Sequence, residues 1–180
     1  DKAEVTEVGV VLLNCLQDWQ LFRANDLLGD GITAPFPPLV SSADVGLLGA
    51  CQLPRTWLKT CLRANGLLHS DYPDCAHGSL DQRCIDTLQL DQDKTLAFLR
   101  NNMPTYVEFE EWVRTEGTID MVAIGAFNKW LLNRKHIPTK LEDIHGTLNK
   151  PNDGTWTDGV LLNHLEDWKY AHTALLSADC

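Results

Sequence analysis

The chain has 180 residues, a length at which one hydrophobic core can stabilise a domain. Its composition of 44% hydrophobic and 22% charged residues excludes an intrinsically disordered protein, and no run is apolar enough for membrane insertion. The net charge of −10 argues against a nucleic-acid partner, because a phosphate backbone attracts basic surface. We therefore expect one compact domain over residues 1–180.

The cysteines show no CxxC pair and no zinc-ligand spacing, although their number is even. A chain of this length does not need disulfides for stability, so we predict mostly buried thiols and a reducing, cytoplasmic location. An exported chain with a removed leader remains an alternative, since the sequence begins with Asp1 rather than Met. The six are Cys15, Cys51, Cys61, Cys75, Cys84 and Cys180.

Hydrophobic residues recur at helical spacing from the start of the chain. A first helix is predicted over about Val5–Asn25. An irregular stretch follows over residues 29–42, where three prolines exclude a regular helix. A second long helix is predicted from Pro54 to Asn65, with Asn65 and Gly66 available for a left-handed C-cap.

Three capping boxes mark helix starts further along the chain, because a Ser or Thr is followed three residues later by Glu or Gln. These pairs are Ser79 with Gln82, Thr105 with Glu108, and Thr139 with Glu142. Nothing resembles paired strands, so the predicted class is all-α, a single multi-helix domain with a Pro-rich loop after the first helix. The remaining helices are predicted over about Leu80–Leu88, Gln92–Asn101, Tyr106–Thr115, Ile119–Arg134, Lys140–Leu148 and Asp158–Leu176.

Arg55, Lys59 and Arg63 are spaced by four residues, which places three cations on one face of the second predicted helix. A helix N-terminus beside a guanidinium is a suitable seat for a carboxylate or phosphate. Arg55 and Lys59 are therefore candidate substrate-binding residues. The alternative is a solvated basic stripe that pairs with acids of a neighbouring helix.

The loop after this helix carries His69 and Tyr72, and Asp81 follows at the next helix start. General acid–base catalysis needs such groups within hydrogen-bond reach of a substrate, and loops beside rigid helices often supply them. These three are the candidate catalytic residues. The alternative is that Asp81 and its neighbour Ser79 only cap a helix, with His69 on the surface.

Trp57 lies on the same helix as the two cations and is a candidate for lining a substrate pocket, although tryptophans more often pack in the core. Glu142 and His145 match half of a di-iron motif, but no second such pair occurs. We therefore predict no metal site. The sequence has no glycine-rich phosphate loop and no GxSxG turn, and we predict no cofactor.

Roughly residues 50–135 carry an ordered set of short motifs, which comprises Leu53, Pro54, Arg55, Thr56, Lys59, Gly66, Tyr72, Gly78, Leu80, Asp81, Gln82, Glu111, Trp112, Val113 and Asn128. In order and spacing this set resembles a mainly bacterial helical family of unassigned activity, catalogued as domain of unknown function 5069. At Leu58 the chain departs from the acidic residue expected in the family. The resemblance implies a small helical protein and supplies no reaction.

Two functions are consistent with these residues. The first is a cofactor-independent lyase, isomerase or hydrolase that binds a small anionic or carbonyl-bearing ligand at Arg55 and Lys59. The second is a non-catalytic ligand-binding or assembly subunit, which would expose a broad apolar patch and associate in solution. The sequence leaves the oligomeric state open.

Overall fold

The computed structural model describes residues 35–75 and 78–178, with side chains up to residue 174. Within these ranges the chain forms seven α-helices, and the expected all-α class is confirmed. The helix predicted over Val5–Asn25 lies outside the described residues. The helices are α1 (Leu53–Ala64), α2 (Leu80–Thr87), α3 (Gln92–Asn102), α4 (Tyr106–Glu116), α5 (Met121–Leu132), α6 (Pro138–Thr147) and α7 (Gly159–Ala178).

Residues 35–75 and 78–178 contain no β-strand, only two isolated bridges. One bridge pairs Phe36 with Leu68, and the other pairs Lys135 with Asp158. The prolines of the predicted irregular stretch that fall in these ranges, Pro35, Pro37 and Pro38, lie outside any helix. No helix of the described chain combines the length and apolarity needed to cross a bilayer.

Two of the predicted helix starts have the expected caps. The Ser79 hydroxyl accepts a hydrogen bond from Gln82 N, and Thr105 with Glu108 forms the full reciprocal capping box. The Gln82 side chain bonds the amide of Gly78 instead of closing a box. Gly66 takes the left-handed conformation expected after α1, with φ 70°.

Two predicted boundaries are wrong. The capping box at Thr139 does not form, because α6 already begins at Pro138 and its N-cap residue is Ile137. Proline is favoured in the first helical turn, where it lacks only an amide that the helix would leave unbonded. The helix predicted over Ile119–Arg134 spans only Met121–Leu132, and its later start follows from the Asp120 carboxylate, which caps the amides of Val122 and Ala123.

Helix α1 is the centre of the fold and contacts α2, α3 and α4. Its residues from Leu53 to Leu62 are all buried. The Trp57 ring is fully buried, its N–H donates to Pro104 O at 2.8 Å, and it packs edge-on against Tyr106. Burial on every side makes α1 the rigid element from which polar groups can be positioned.

The loop before α1 is held by side chains from α4 and α5. The Glu110 carboxylate accepts hydrogen bonds from the amides of Leu47 and Leu48, at 3.0 and 3.2 Å. The Asn128 amide group accepts from Cys51 N at 2.9 Å and donates to Gly49 O at 2.7 Å. These two clamps fix the point at which the chain enters α1.

Candidate functional site

One face of α1 presents polar side chains to the protein interior. Arg55, Thr56, Lys59 and Thr60 are each at most 8% exposed. Arg55 and Lys59 each pair with an acid from another helix, as in the alternative prediction. That alternative expected a solvated stripe, whereas both pairs are buried. Arg63, the third predicted member, is half-buried and donates to the carbonyl of Tyr72.

Arg55 is bound by Asp167 from α7. The guanidinium makes a bidentate pair with the carboxylate, at 2.6 and 2.9 Å. It also donates to the carbonyl oxygens of Pro38 and Val40, at 2.6 and 2.7 Å. Burial alone would lower the pKa of Arg55, but the charge of Asp167 outweighs it and raises the pKa. Arg55 therefore stays charged and is held by Asp167 and by two backbone carbonyls.

Tyr72 joins the same carboxylate from the loop after α1. Its hydroxyl donates to Asp167 Oδ1 at 2.5 Å, and the guanidinium of Arg55 lies 5.7 Å from the ring centroid. Burial and the charge of Asp167 raise the pKa of Tyr72 well above its ordinary value. The phenol is therefore a hydrogen-bond donor at neutral pH.

Lys59 is paired with Asp81 one helical turn further along α1. Asp81 is 1% exposed and also accepts hydrogen bonds from Gln52 Nε2 and Thr56 Oγ1, both at 2.9 Å. It lies in the first turn of α2, where the helix dipole favours a negative charge. Three donors and a helix terminus thus hold this carboxylate in one position.

Gln52 caps α1 in a conformation that only glycine adopts without strain, with φ 69° and ψ −24°. Because a carboxylate only accepts hydrogen bonds, the amide nitrogen of Gln52 must face Asp81, so its Oε1 is a buried acceptor without a partner among the described residues. Within the described part of the chain, the Thr60 hydroxyl is likewise buried and without a partner. Backbone strain and unpaired polar atoms together are typical of functional sites.

The other predicted site residues lie apart from the two carboxylates. His69 is half-buried and stacks on Tyr170 at 4.5 Å, with its ring 6.1 Å from that of Tyr72. Its described hydrogen bond, at Nδ1, is accepted from the amide of Asp71. Trp57 packs in the core against Tyr106. The structure therefore brings together Arg55 with Tyr72 and Lys59 with Asp81, but not Trp57 or His69.

Sequence reasoning missed Asp167 and Gln52. Asp167 follows the buried Leu162 and precedes the buried Ala171, so it is an acid on the inward stripe of α7. An acid on an apolar stripe is the pattern that could have identified it. Gln52 gave no comparable pattern, because its position depends on a backbone conformation that a glutamine does not predict.

A cavity of about 270 Å³ lies away from this network, at the C-terminal end of α6. Its lining residues are His145, Lys150, Pro151, Asp153, Thr155 and Trp156. Glu142, the predicted partner of His145 in a metal motif, is exposed, and His145 Nε2 donates to Trp156 O at 3.0 Å. No group of His, Cys, Asp and Glu in the described part of the chain is arranged to hold a metal ion.

Comparisons with protein-family models, with curated proteins and with solved structures found no match. The resemblance to domain-of-unknown-function family 5069 stays a prediction.

Proposed function

We propose that the protein is a cofactor-independent lyase, isomerase or hydrolase that acts on a small anionic or carbonyl-bearing molecule at the polar face of α1. The observation that supports this is the pair of buried cations, Arg55 and Lys59, each held by a carboxylate from another element. Buried ionisable groups fixed in one geometry are characteristic of catalytic centres.

The proposed anion contact is Lys59. An ammonium group has three N–H donors, and among the described residues Lys59 has one acceptor, Asp81. Two donors are therefore available for a carboxylate, phosphate or carbonyl oxygen. Arg55, whose donors are engaged by Asp167, Pro38 and Val40, contributes positive charge and fixes Asp167.

Proton transfer is assigned to Asp81 and Tyr72. Asp81 is the base candidate, since its carboxylate is buried and held in one position beside Lys59. Tyr72 is the acid candidate, because its hydroxyl carries a proton and is held in one position by Asp167.

A thermal-shift screen against small carboxylates, phosphates and aldehydes tests the proposal. A ligand at 100 times its dissociation constant stabilises the protein by about 2.7 kcal/mol, which corresponds to a melting shift of roughly 5–10 °C at this chain length. We expect Lys59→Met to abolish the shift measured from the variant's own melting temperature. Lys94→Met, on the exposed surface of α3, is the matched control. A shift that persists in Lys59→Met contradicts the proposal.

A second candidate function, an assembly subunit, is favoured by the outer face of α5. Met121, Val122 and Leu132 are 63%, 82% and 46% exposed, and the neighbouring Gly125 and Ala126 are also exposed. Apolar surface of this kind on one helix is typical of protein–protein contacts. Sedimentation velocity of the wild type and of Val122→Lys tests it. An assembly predicts a larger wild-type species that Val122→Lys dissociates, whereas a monomer at every concentration excludes it.

A further inference from the structure

The cleft at the end of α6 carries an aromatic face and two opposite charges. Trp156 is 38% exposed and lines the cleft together with Pro151, so these two residues give the cleft an apolar surface. Lys150 and Asp153, both exposed, line it as well. The volume of about 270 Å³ falls just below the usual range of small-molecule pockets, which suits a metabolite-sized ligand.

The two charged side chains of the cleft do not form an ion pair with each other. Among the described residues, none of the ion pairs joins Lys150 to Asp153, and the Lys150 ammonium has no acceptor. The Asp153 carboxylate accepts a hydrogen bond from the amide of Thr155 at 2.9 Å. Hydrogen bonding by the side chain and backbone of Thr155 lowers the pKa of Asp153, so the carboxylate is charged at neutral pH. A ligand with one negative and one positive group can therefore contact both side chains.

The cleft is held in shape by the helix end and by a buried histidine. Asn149 adopts the left-handed conformation, and the amide of Lys150 closes α6 on His145 O at 2.9 Å. His145 is 2% exposed, and its Nε2 fixes the carbonyl of Trp156. Its Nδ1 is buried without a partner among the described residues. His145 thus ties the turn that carries Trp156 to α6.

We infer that this cleft binds a free α-amino acid with an apolar side chain. The α-carboxylate contacts Lys150, the α-ammonium contacts Asp153, and the side chain packs on Trp156 and Pro151. Neutral sugars of similar size could hydrogen-bond both side chains through their hydroxyls but would neutralise neither charge. This site is separate from the polar face of α1, so a test of amino-acid binding here is independent of the proposed enzyme activity.

Isothermal titration calorimetry with L-phenylalanine tests the inference. N-acetyl-L-phenylalanine lacks the ammonium group and 2-phenylethylamine lacks the carboxylate, so each removes one of the two contacts. We expect a dissociation constant of about 1 mM for L-phenylalanine and binding at least about tenfold weaker for the two analogues. Lys150→Met and Asp153→Asn are expected to weaken the binding of L-phenylalanine by the same factor. Asparagine at position 153 retains an oxygen that accepts the hydrogen bond from Thr155 N.

Lys94→Met and Asp86→Asn remove the same charges from exposed positions on α3 and α2, and both are expected to bind like the wild type. All four variants change exposed side chains, and a circular dichroism spectrum checks that each is folded. The inference is overturned by equal binding of the three compounds, by unchanged binding in Asp153→Asn, or by no heat signal at concentrations about tenfold above 1 mM.

Discussion

The Asp167 carboxylate is shared by the Arg55 guanidinium, at 2.6 and 2.9 Å, and by the Tyr72 hydroxyl, at 2.5 Å. One residue of α7 therefore joins α1 to the loop that follows it. The carboxylate is 1% exposed, so its contacts are shielded from water. In such an environment, removing one partner leaves a charge that nothing else neutralises.

We expect Asp167→Asn to destabilise the fold by roughly 3–5 kcal/mol, because it leaves the buried Arg55 charge unpaired. Urea denaturation measures this loss. The exposed pair of Arg100 and Asp74 provides the control, and Asp74→Asn should cost no more than about 1 kcal/mol. Equal losses in the two variants would show that Asp167 does not act as a buried ion-pair partner.

Stability should depend on pH through His136. Burial lowers the pKa of His136, and the nearby charge of Arg134 lowers it further. The unfolded state therefore binds the proton more tightly, so the contribution of His136 is fully present above its ordinary pKa of 6.5 and is lost as the pH falls through the folded pKa. The free energy of unfolding at a series of pH values from about 8 to 5 measures this.

The variant His136→Gln isolates that contribution. Its stability should fall less than that of the wild type between neutral and acidic pH, since it removes the group that titrates. His172→Gln, at an exposed position of α7, is expected to leave the wild-type profile unchanged. Parallel profiles for the wild type and His136→Gln would contradict the assignment.

Two glycines should respond oppositely to alanine. A Cβ atom at Gly46 would lie 2.2 Å from Glu110 Oε1 and 2.5 Å from the Tyr106 ring. We expect Gly46→Ala to cost about 1–3 kcal/mol through this overlap. Gly125→Ala in α5 meets no atom within 4 Å and should stabilise the fold by about 0.5–1 kcal/mol. Thermal unfolding of both variants provides the comparison. A Gly46→Ala variant as stable as the wild type would show that Glu110 and Tyr106 move aside without cost.

The described thiols should react slowly in the native protein. Burial raises the pKa of Cys61 to about 12, and burial with the charge of Asp81 raises the pKa of Cys75 to about 11. Since only the thiolate attacks iodoacetamide, alkylation at about pH 8 should be slow until denaturant is added. Peptide mass spectrometry should find Cys75, the half-buried one, modified before Cys51, Cys61 and Cys84. Rapid modification of Cys61 in the native state would contradict this prediction.

The helices and their starts were largely predictable because they depend on local chemistry. Ser79 and Thr105 cap helices where the sequence places them, and Pro54 stands in the first turn of α1. The error at Thr139 has the same local origin, since Pro138 offered a competing start one residue earlier. Local rules identify a helix more securely than they identify its first residue.

The candidate site was predictable only in part. The spacing of Arg55 and Lys59 placed both on one face, and the structure brings Lys59 to Asp81 and Arg55 to Tyr72. The partner of Arg55 lies 112 residues away, and no local pattern connects it to the guanidinium. Trp57 shares the helix but not the polar face, and tertiary packing alone directs its ring to Pro104 and Tyr106.

The clamps at the entry to α1 join distant parts of the chain: Cys51 and Asn128 are 77 residues apart, and Leu47 and Glu110 are 63 apart. Contacts of such long range must close large loops before they contribute energy, which slows folding compared with helical bundles built from neighbouring helices. During synthesis on the ribosome, the Arg55 guanidinium lacks its carboxylate partner until Asp167 has been made. The native ion pair of Arg55 therefore forms only after this part of α7 has been translated.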